Sequence, residues 1–151
     1  MKTLLIGTIT ALIAGMAIGL QATFTSRAGS IIGSIRTGLM TNFIGGSIAG
    51  IIILILFIFK GTGTWKIPGT ALFMITAAGL LGILIVSGVS FSLQKVGVTA
   101  GLATVILGQM LLSIVIDTKG IGGAEPISLS FSRITGLLLL GVSVYLLLPK
   151  R

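Results

Sequence analysis

Long apolar runs, separated by short polar or glycine-rich segments, dominate the chain. Residues 3–26, 37–59, 67–94 and 96–116 contain no charged side chain, and each run can supply the roughly 20 apolar residues of a membrane-spanning helix. A fifth apolar run, residues 134–148, is shorter and would be about 22 Å long as a helix. The pattern predicts five transmembrane helices, near residues 3–22, 38–59, 69–91, 97–116 and 134–148.

The segments between these runs carry turn-forming residues. Residues 61–68 combine glycine and threonine with Trp65 and Pro68, which predicts a turn with the indole ring at the lipid headgroups. Residues 117–126 contain three glycines and a proline, so we expect a bend. Residues 23–36 are polar with interspersed isoleucines, which predicts a connection or a short interfacial helix. No segment is long enough for a soluble domain, so we expect one five-helix transmembrane domain over residues 1–151.

The first apolar run has two interpretations. Lys2 followed by an apolar stretch also fits a cleaved secretory signal. The length of the run, the lack of a clear cleavage site and the four further spans favour a helix that is retained.

Composition agrees with a lipid environment. Charged residues make up 8% of the chain and hydrophobic residues 54%, whereas about a quarter of a soluble domain is charged. Histidine and cysteine are both absent, so we expect no metal and no haem cofactor. The net charge of +8 does not indicate nucleic-acid binding, because the ten basic residues are spread along the chain without a cluster, so that they can anchor spans at the headgroups.

Several predicted spans contain polar side chains. Gln109, Ser113 and Asp117 follow one another at intervals of four residues on the fourth helix and therefore share one face. An amide without a partner in hydrocarbon costs several kcal/mol. These groups therefore either bond between helices or contact a substrate in a polar cavity. The candidate substrate-binding residues are Gln109, Ser113, Ser87, Ser90 and Gln21.

Gln94 shares a face of the third predicted helix with Ser87 and Ser90. Two further polar residues lie at predicted helix ends. Gln21 closes the first predicted helix and Asn42 opens the second. At such positions an interhelical hydrogen bond is the more common role.

The chain has only two acidic residues, Asp117 and Glu125, and neither lies in the middle of a span. We expect Asp117 to pair with Arg133 or with Lys119 near the membrane edge; a role of the Asp117–Arg133 pair in coupling remains the alternative to a structural one. No base and nucleophile occur together in a pattern typical of hydrolases or transferases, so the sequence does not predict an enzyme.

Glycines at intervals of four residues mark possible helix-packing faces. Small residues at this spacing let neighbouring backbones approach closely. Such contacts could be static, or they could let helices slide during a conformational cycle. The pairs are Gly15 and Gly19, Gly46 and Gly50, and Gly97 and Gly101.

The basic residues are shared equally between the two sides of a five-helix topology. One side holds five of them and the other side holds five, whereas an excess on the cytoplasmic side normally fixes orientation. Two interpretations follow: the chain inserts in both directions and pairs as an inverted dimer, or weaker signals select one orientation. The two sets are Lys2, Lys60, Lys66, Lys119 and Arg133, and Arg27, Arg36, Lys95, Lys150 and Arg151.

Three stretches resemble the small five-helix, YdcZ-like branch of the drug/metabolite transporter superfamily. They are GQMLLSIVIDTKGIGG at residues 108–123, SRITG at 132–136 and GVSVYLL at 141–147, with Pro126 between the first two. Gln21 after a glycine-rich helix and Trp65 with Pro68 add weaker support.

The resemblance implies a half-transporter of the bacterial inner membrane. Larger relatives contain ten helices as two inverted repeats, so the resemblance implies that this chain is an exporter of small molecules and works by alternating access as an antiparallel homodimer. The substrate is undefined, and a neutral or weakly charged molecule fits the sequence better than a strong cation. Two alternatives are a passive channel at the dimer interface and a structural subunit of a membrane complex.

Overall fold

The computed structural model describes residues 2–60, 67–121 and 125–150, and these residues form five α-helices joined by short connections. Four of the five are long and apolar enough to cross a membrane. The prediction of five helices and of a multi-pass membrane protein is thereby confirmed, while several helix ends differ from those expected. The helices are α1 (Lys2–Ile32), α2 (Ser34–Lys60), α3 (Gly69–Val96), α4 (Val98–Lys119) and α5 (Phe131–Leu147).

The first helix continues ten residues beyond the end that the apolar pattern predicts, and the expectation of a connection over residues 23–36 is wrong. Helix α1 ends only at Ile32 and α2 begins at Ser34. The hydroxyl groups of the polar stretch find partners on the helix itself and therefore do not require a break: Thr25 Oγ1 donates to the Ala22 carbonyl at 3.1 Å and Ser30 Oγ to the Arg27 carbonyl at 2.7 Å.

A single glycine makes the corner between α1 and α2. Gly33 has a φ of +89°, a backbone conformation that side chains with a Cβ rarely adopt. Its N–H donates to the Gly29 carbonyl at 2.9 Å, and its own carbonyl accepts from Thr37 N at 3.0 Å. The helix thus stops at the one residue whose backbone permits the turn, and not where the sequence becomes polar.

The fourth helix ends at a glycine as well. Gly120 is left-handed, with φ 62°, and the following N–H, that of Ile121, donates to the Ile116 carbonyl at 3.1 Å, the pattern of a Schellman cap. The bend expected over residues 117–126 therefore starts only after Lys119, and residues 122–124 lie outside the described residues. The predicted turn over residues 61–66, including Trp65, also falls outside them.

The chain divides into two compact units, Met1–Gln94 and Lys95–Arg151, called unit 1 and unit 2 below. In unit 1, α1 packs against α2, and in unit 2, α4 packs against α5. The apolar side chains of the long helices face outward, and the few buried residues are mostly small or polar. Among the described residues they include Ala22, Thr25, Thr37, Ser90, Leu93, Ala100 and Val144.

The helices differ in length between the units. Helix α1 has 31 residues, about 46 Å at the usual rise of an α-helix. Helix α5 has 17 residues, or about 25 Å. The hydrocarbon core of a bilayer is about 30 Å thick, so α1 extends into the headgroups while α5 falls short of the core thickness.

Candidate functional site

Polar side chains in unit 1 meet where α3 lies against α1 and α2. Ser90 is fully buried, and its Oγ donates to the Thr25 carbonyl at 2.8 Å. Gln94 Nε2 donates to the Ser90 carbonyl at 2.9 Å and to Ser34 Oγ at 3.0 Å. We call this group, Thr25, Ser34, Ser90 and Gln94, the polar seam. It joins three helices through groups that satisfy one another.

Three glycines let the helices of unit 1 approach this closely. A Cβ on Gly29 would overlap Ser90 Oγ and lie 2.6 Å from Gln94 Nε2, and one on Gly38 would overlap Ser87 Oγ and lie 2.9 Å from the Ile83 carbonyl. A Cβ on Gly82 would lie 2.9 Å from Asn42 Oδ1. The packing role of these glycines is not evident from the sequence, because their partners lie on other helices. The Gly38–Asn42 spacing of four residues is the signal that could have revealed one of them.

The glycines predicted to mark helix-packing faces have different surroundings in the structure. No described atom lies within 4 Å of a Cβ built on Gly15, Gly46 or Gly50. Gly97 has a φ of +84° and precedes α4 as its N-cap, while Gly101 is buried. Packing through Gly15, with Gly19 one turn further on, and through the Gly46–Gly50 pair therefore stays a prediction about neighbours outside the single chain.

Gln21 and Asn42 lie inside helices, so their expected position at helix ends is wrong. Gln21 is exposed on α1 and lines a cavity of about 60 Å³ between α1 and α3 and a second of about 560 Å³ between α1 and α2. Asn42 Nδ2 donates to the Gly38 carbonyl at 2.8 Å. The amide of Asn42 is thus engaged within its own helix, whereas that of Gln21 faces open space.

In unit 2, α4 and α5 enclose a groove of about 370 Å³ with a charged pair in its wall. Arg133 Nη1 lies 3.5 Å from Asp117 Oδ2, with the two side chains 36% and 42% exposed. Apolar side chains and Ser113 form the rest of the wall. We call this cavity the ion-pair groove; it is lined by Met110, Ser113, Ile114, Asp117, Arg133, Gly136, Leu137 and Leu140.

Local hydrogen bonds hold the charged part of the groove in place. Ile127 N donates to the Asp117 carbonyl at 2.9 Å, which returns the chain to the end of α4. Ser130 then caps α5, because its Oγ accepts from Arg133 N at 3.3 Å. These contacts set Arg133 in the first turn of α5, opposite the last turn of α4.

The predicted substrate residues are therefore divided between the units. Ser87, Ser90 and Gln21 belong to unit 1, and Gln109 and Ser113 belong to unit 2. Ser113 lines the ion-pair groove, whereas Gln109, one turn earlier on α4, is exposed and outside the lining. The buried, bonded hydroxyl of Ser90 favours an interhelical role, and the exposure of Gln109 and Gln21 leaves their amides reachable.

The ion-pair groove combines an apolar wall with one acid, one guanidinium and one hydroxyl, which suits the binding of a small amphipathic molecule. Among known proteins, no curated protein and no solved structure matches the chain.

A family match covers nearly the whole chain. Residues 6–146 match the family described as "Putative inner membrane exporter, YdcZ". The matched region includes all of α2, α3 and α4 and all but the ends of α1 and α5. This confirms the resemblance seen in the sequence, and the chain belongs to the YdcZ family.

Proposed function

We propose that this protein exports a small molecule across the inner membrane by alternating access, as an antiparallel homodimer of copies inserted in opposite orientations. The family supports the exporter part of the proposal. The observation that carries the dimer is the equal division of ten basic residues, five to each side of a five-helix topology. Two such copies related by an axis in the membrane plane have the form of an inverted repeat.

The positions of the basic residues support this count. Every basic residue that the structure describes within a helix lies in its first or last two turns, where a cation can reach the headgroups. The seven are Lys2, Arg27, Arg36, Lys60, Lys95, Lys119 and Arg133. No described cation therefore opposes the expected placement of charge at the two membrane surfaces.

The outward faces of the helices leave room for a second copy. Small residues on α1 and α2, Gly15, Gly46 and Gly50 among them, have open space around them within a single chain. In lipid, helices associate through such faces because small residues allow close backbone contact. A homodimer would use surface that one chain leaves uncovered.

The transport site of the dimer would take its polar groups from residues that remain reachable. In our proposal Ser113 and Gln109 of both copies, with Gln21, line the path of the substrate. Ser87 and Ser90 lie where α3 packs against α2 and α1, and in our proposal they serve helix packing.

Single-cysteine labelling tests the insertion, because the chain has no native cysteine. Thr3→Cys and Pro149→Cys place one thiol near either terminus without removing a basic residue. With a membrane-impermeant maleimide on intact spheroplasts, we expect about half of each variant to react, and the remainder to react after permeabilisation. Complete labelling of one variant with none of the other would mean one orientation and would overturn the antiparallel dimer.

A shifted charge balance provides the matched control for this labelling. Arg27→Gln combined with Arg36→Gln removes two cations from one side, which should drive the population toward a single orientation. Removing Arg36 together with Lys60 takes one cation from each side and should leave labelling two-sided. Equal labelling in all variants would show that charge does not set the orientation of this protein.

A substitution at Gln109 tests the transport path. Gln109→Leu should reduce export in proteoliposomes by at least about tenfold, the effect of losing one or two substrate hydrogen bonds, while crosslinked dimer remains. Leu111→Met, at an exposed position on the same helix, should leave export unchanged. Wild-type export rates for Gln109→Leu would remove this amide from the path, and flux that never saturates with substrate would favour a channel.

A further inference from the structure

The ion-pair groove of unit 2 contains both a positive and a negative group beside an apolar wall. We propose that it binds a small zwitterion, a molecule that carries an ammonium and a carboxylate close together on an apolar body. This gives the proposed exporter a substrate class. It rests on the proposed function only for the use of the site in transport, because binding itself is measured separately.

The geometry of the pair leaves capacity for a ligand. One nitrogen of Arg133 lies 3.5 Å from one oxygen of Asp117, at the outer limit of hydrogen bonding. A guanidinium has five N–H donors in a fork that fits a carboxylate with two parallel bonds. The Asp117–Arg133 contact uses one of these donors, and no other hydrogen bond from the Arg133 side chain occurs among the described residues. The side chains are about two-fifths exposed, so a ligand can reach both.

The placement of the charges explains why a ligand of one sign is disfavoured. Asp117 lies in the last turn of α4 and Arg133 in the first turn of α5. Each charge therefore has the same sign as the dipole at its own helix end, which makes both depend on an opposite charge nearby. A simple cation that displaced Arg133, or a simple anion that displaced Asp117, would leave the second charge beside the like-signed dipole of its own helix end with no opposite charge nearby.

A zwitterion avoids that cost. Its carboxylate can bond to Arg133 while its ammonium bonds to Asp117, so that both protein charges remain paired and the total charge is unchanged. The exchange replaces one long ion pair by two short, charge-assisted ones.

The remainder of the groove sets the size and the polarity of the ligand. Its volume is about 370 Å³, near the lower end of the roughly 300–1,000 Å³ of small-molecule sites. From Asp117 the wall continues along α4 for seven residues to Met110, about 10 Å, and is lined there by Ile114, Leu137 and Leu140. An aliphatic side chain of a few carbons would cover this wall.

Binding of L-leucine tests the proposal against two analogues that share its branched skeleton. 4-Methylpentanoate keeps only the carboxylate and isopentylamine keeps only the ammonium. We expect the full chain, in nanodiscs of phosphatidylglycerol, to bind radiolabelled leucine. The Kd for leucine should be at least tenfold lower than the inhibition constant of either analogue in competition with it. Equal affinities for all three, or no saturable binding of any of them, would overturn a free zwitterion as the ligand.

Neutral variants of the pair should change which analogue is preferred. Asp117→Asn leaves a free guanidinium, so 4-methylpentanoate should bind more tightly than leucine. Arg133→Gln leaves a free carboxylate, so isopentylamine should be preferred. A general loss of structure would weaken all ligands alike; opposite preferences in two variants cannot arise that way. Unchanged preferences would contradict the proposal.

Two glycines on α5 provide a matched pair that locates the site. Neither Gly136 nor Gly141 has any described atom within 4 Å of an added Cβ, but only Gly136 lines the groove. Gly136→Leu should abolish leucine binding, and Gly141→Leu should preserve it. Retained binding in Gly136→Leu, or loss in Gly141→Leu alone, would place leucine binding outside the groove.

A bilayer contains a zwitterion of its own, the headgroup of phosphatidylethanolamine, in which a phosphate takes the place of the carboxylate beside the ammonium. If that headgroup is the ligand, wild-type protein should retain the lipid through purification, the Gly136→Leu variant should lose it, and leucine should not bind in phosphatidylglycerol. That result would keep the zwitterion site and assign its ligand to the membrane. Absence of both leucine binding and lipid retention, with two-sided cysteine labelling intact, would overturn the site and leave the dimeric exporter standing.

Discussion

The polar groups of the two units are organised in opposite ways. In unit 1, Ser90 and Gln94 bond to Thr25 and Ser34 across three helices, and the hydroxyl of Ser90 is fully buried. In unit 2, Asp117 and Arg133 meet at 3.5 Å in an open groove and keep more than a third of their side chains exposed. One set of polar groups is satisfied inside the protein, and the other remains available.

This difference separates a structural role from a binding role. A buried hydroxyl or amide that already has its partners contributes to holding helices together, and a ligand could reach it only if those bonds broke. A wide, half-exposed ion pair contributes little to stability but offers charges to a ligand. Substitutions should therefore affect folding in unit 1 and recognition in unit 2.

The largest effect on stability should come from Gly38→Ala in unit 1. The new Cβ would lie 2.9 Å from the Ile83 carbonyl and overlap Ser87 Oγ, and a backbone atom cannot move aside as a side chain can. We expect a loss of about 2 kcal/mol in the free energy of unfolding, as for other overpacked sites, measured by chemical unfolding in detergent.

Gly45→Ala is the control for this substitution. It lies on the same helix with no described atom within 4 Å of its Cβ and should be neutral or slightly stabilising, by up to about 1 kcal/mol. Equal stability of the two variants would mean that α3 does not press on α2 at Gly38.

A smaller loss should follow from Ser90→Ala, which removes the bond from Ser90 Oγ to the Thr25 carbonyl. The expected cost is about 1 kcal/mol, with export per folded molecule unchanged. Ser47→Ala serves as the reference, since that exposed hydroxyl bonds only to the Phe43 carbonyl of its own helix among the described residues. A Ser90→Ala variant of normal stability but reduced export would move this hydroxyl from the structural group to the transport path.

The smallest change in stability should come from neutralising both members of the ion pair, in the variant Asp117→Asn/Arg133→Gln. Because both side chains are more than a third exposed, the expected cost is below about 1 kcal/mol. Binding of L-leucine should nevertheless be lost. A cost larger than that of Gly38→Ala would show that the pair holds α4 and α5 together, and the contrast between the units would then disappear.

The sequence predicted the number and order of the helices because charge-free runs of sufficient length have few alternatives to spanning a bilayer. It places the end of α1 too early because a polar stretch is also typical of a helix end, whereas the hydroxyl groups find partners on the helix itself and Gly33 makes the corner. The closeness of Asp117 and Arg133 could be expected, since one short connection joins their helices.

The contacts of Gly29 and Gly38 could not be derived in the same way. They depend on which faces of three helices meet, and apolar residues surround each of these helices so evenly that the sequence does not single out a face. Because the sequence does not single out a face, it also does not separate Ser87 and Ser90 from the candidate substrate-binding residues. Their neighbours, Gly38 and Gly29, became visible only in three dimensions.

The short fifth helix has a consequence for the surrounding membrane. As a fifth membrane-spanning helix, α5, with 17 residues or about 25 Å, would require a hydrocarbon layer of about 30 Å to thin around it. Lipids with shorter acyl chains would relieve that deformation, and their energetic advantage would be greatest beside Asp117 and Arg133, where charge and hydrocarbon meet. The acyl chain length of the host membrane would then affect how well α5 is accommodated beside α4.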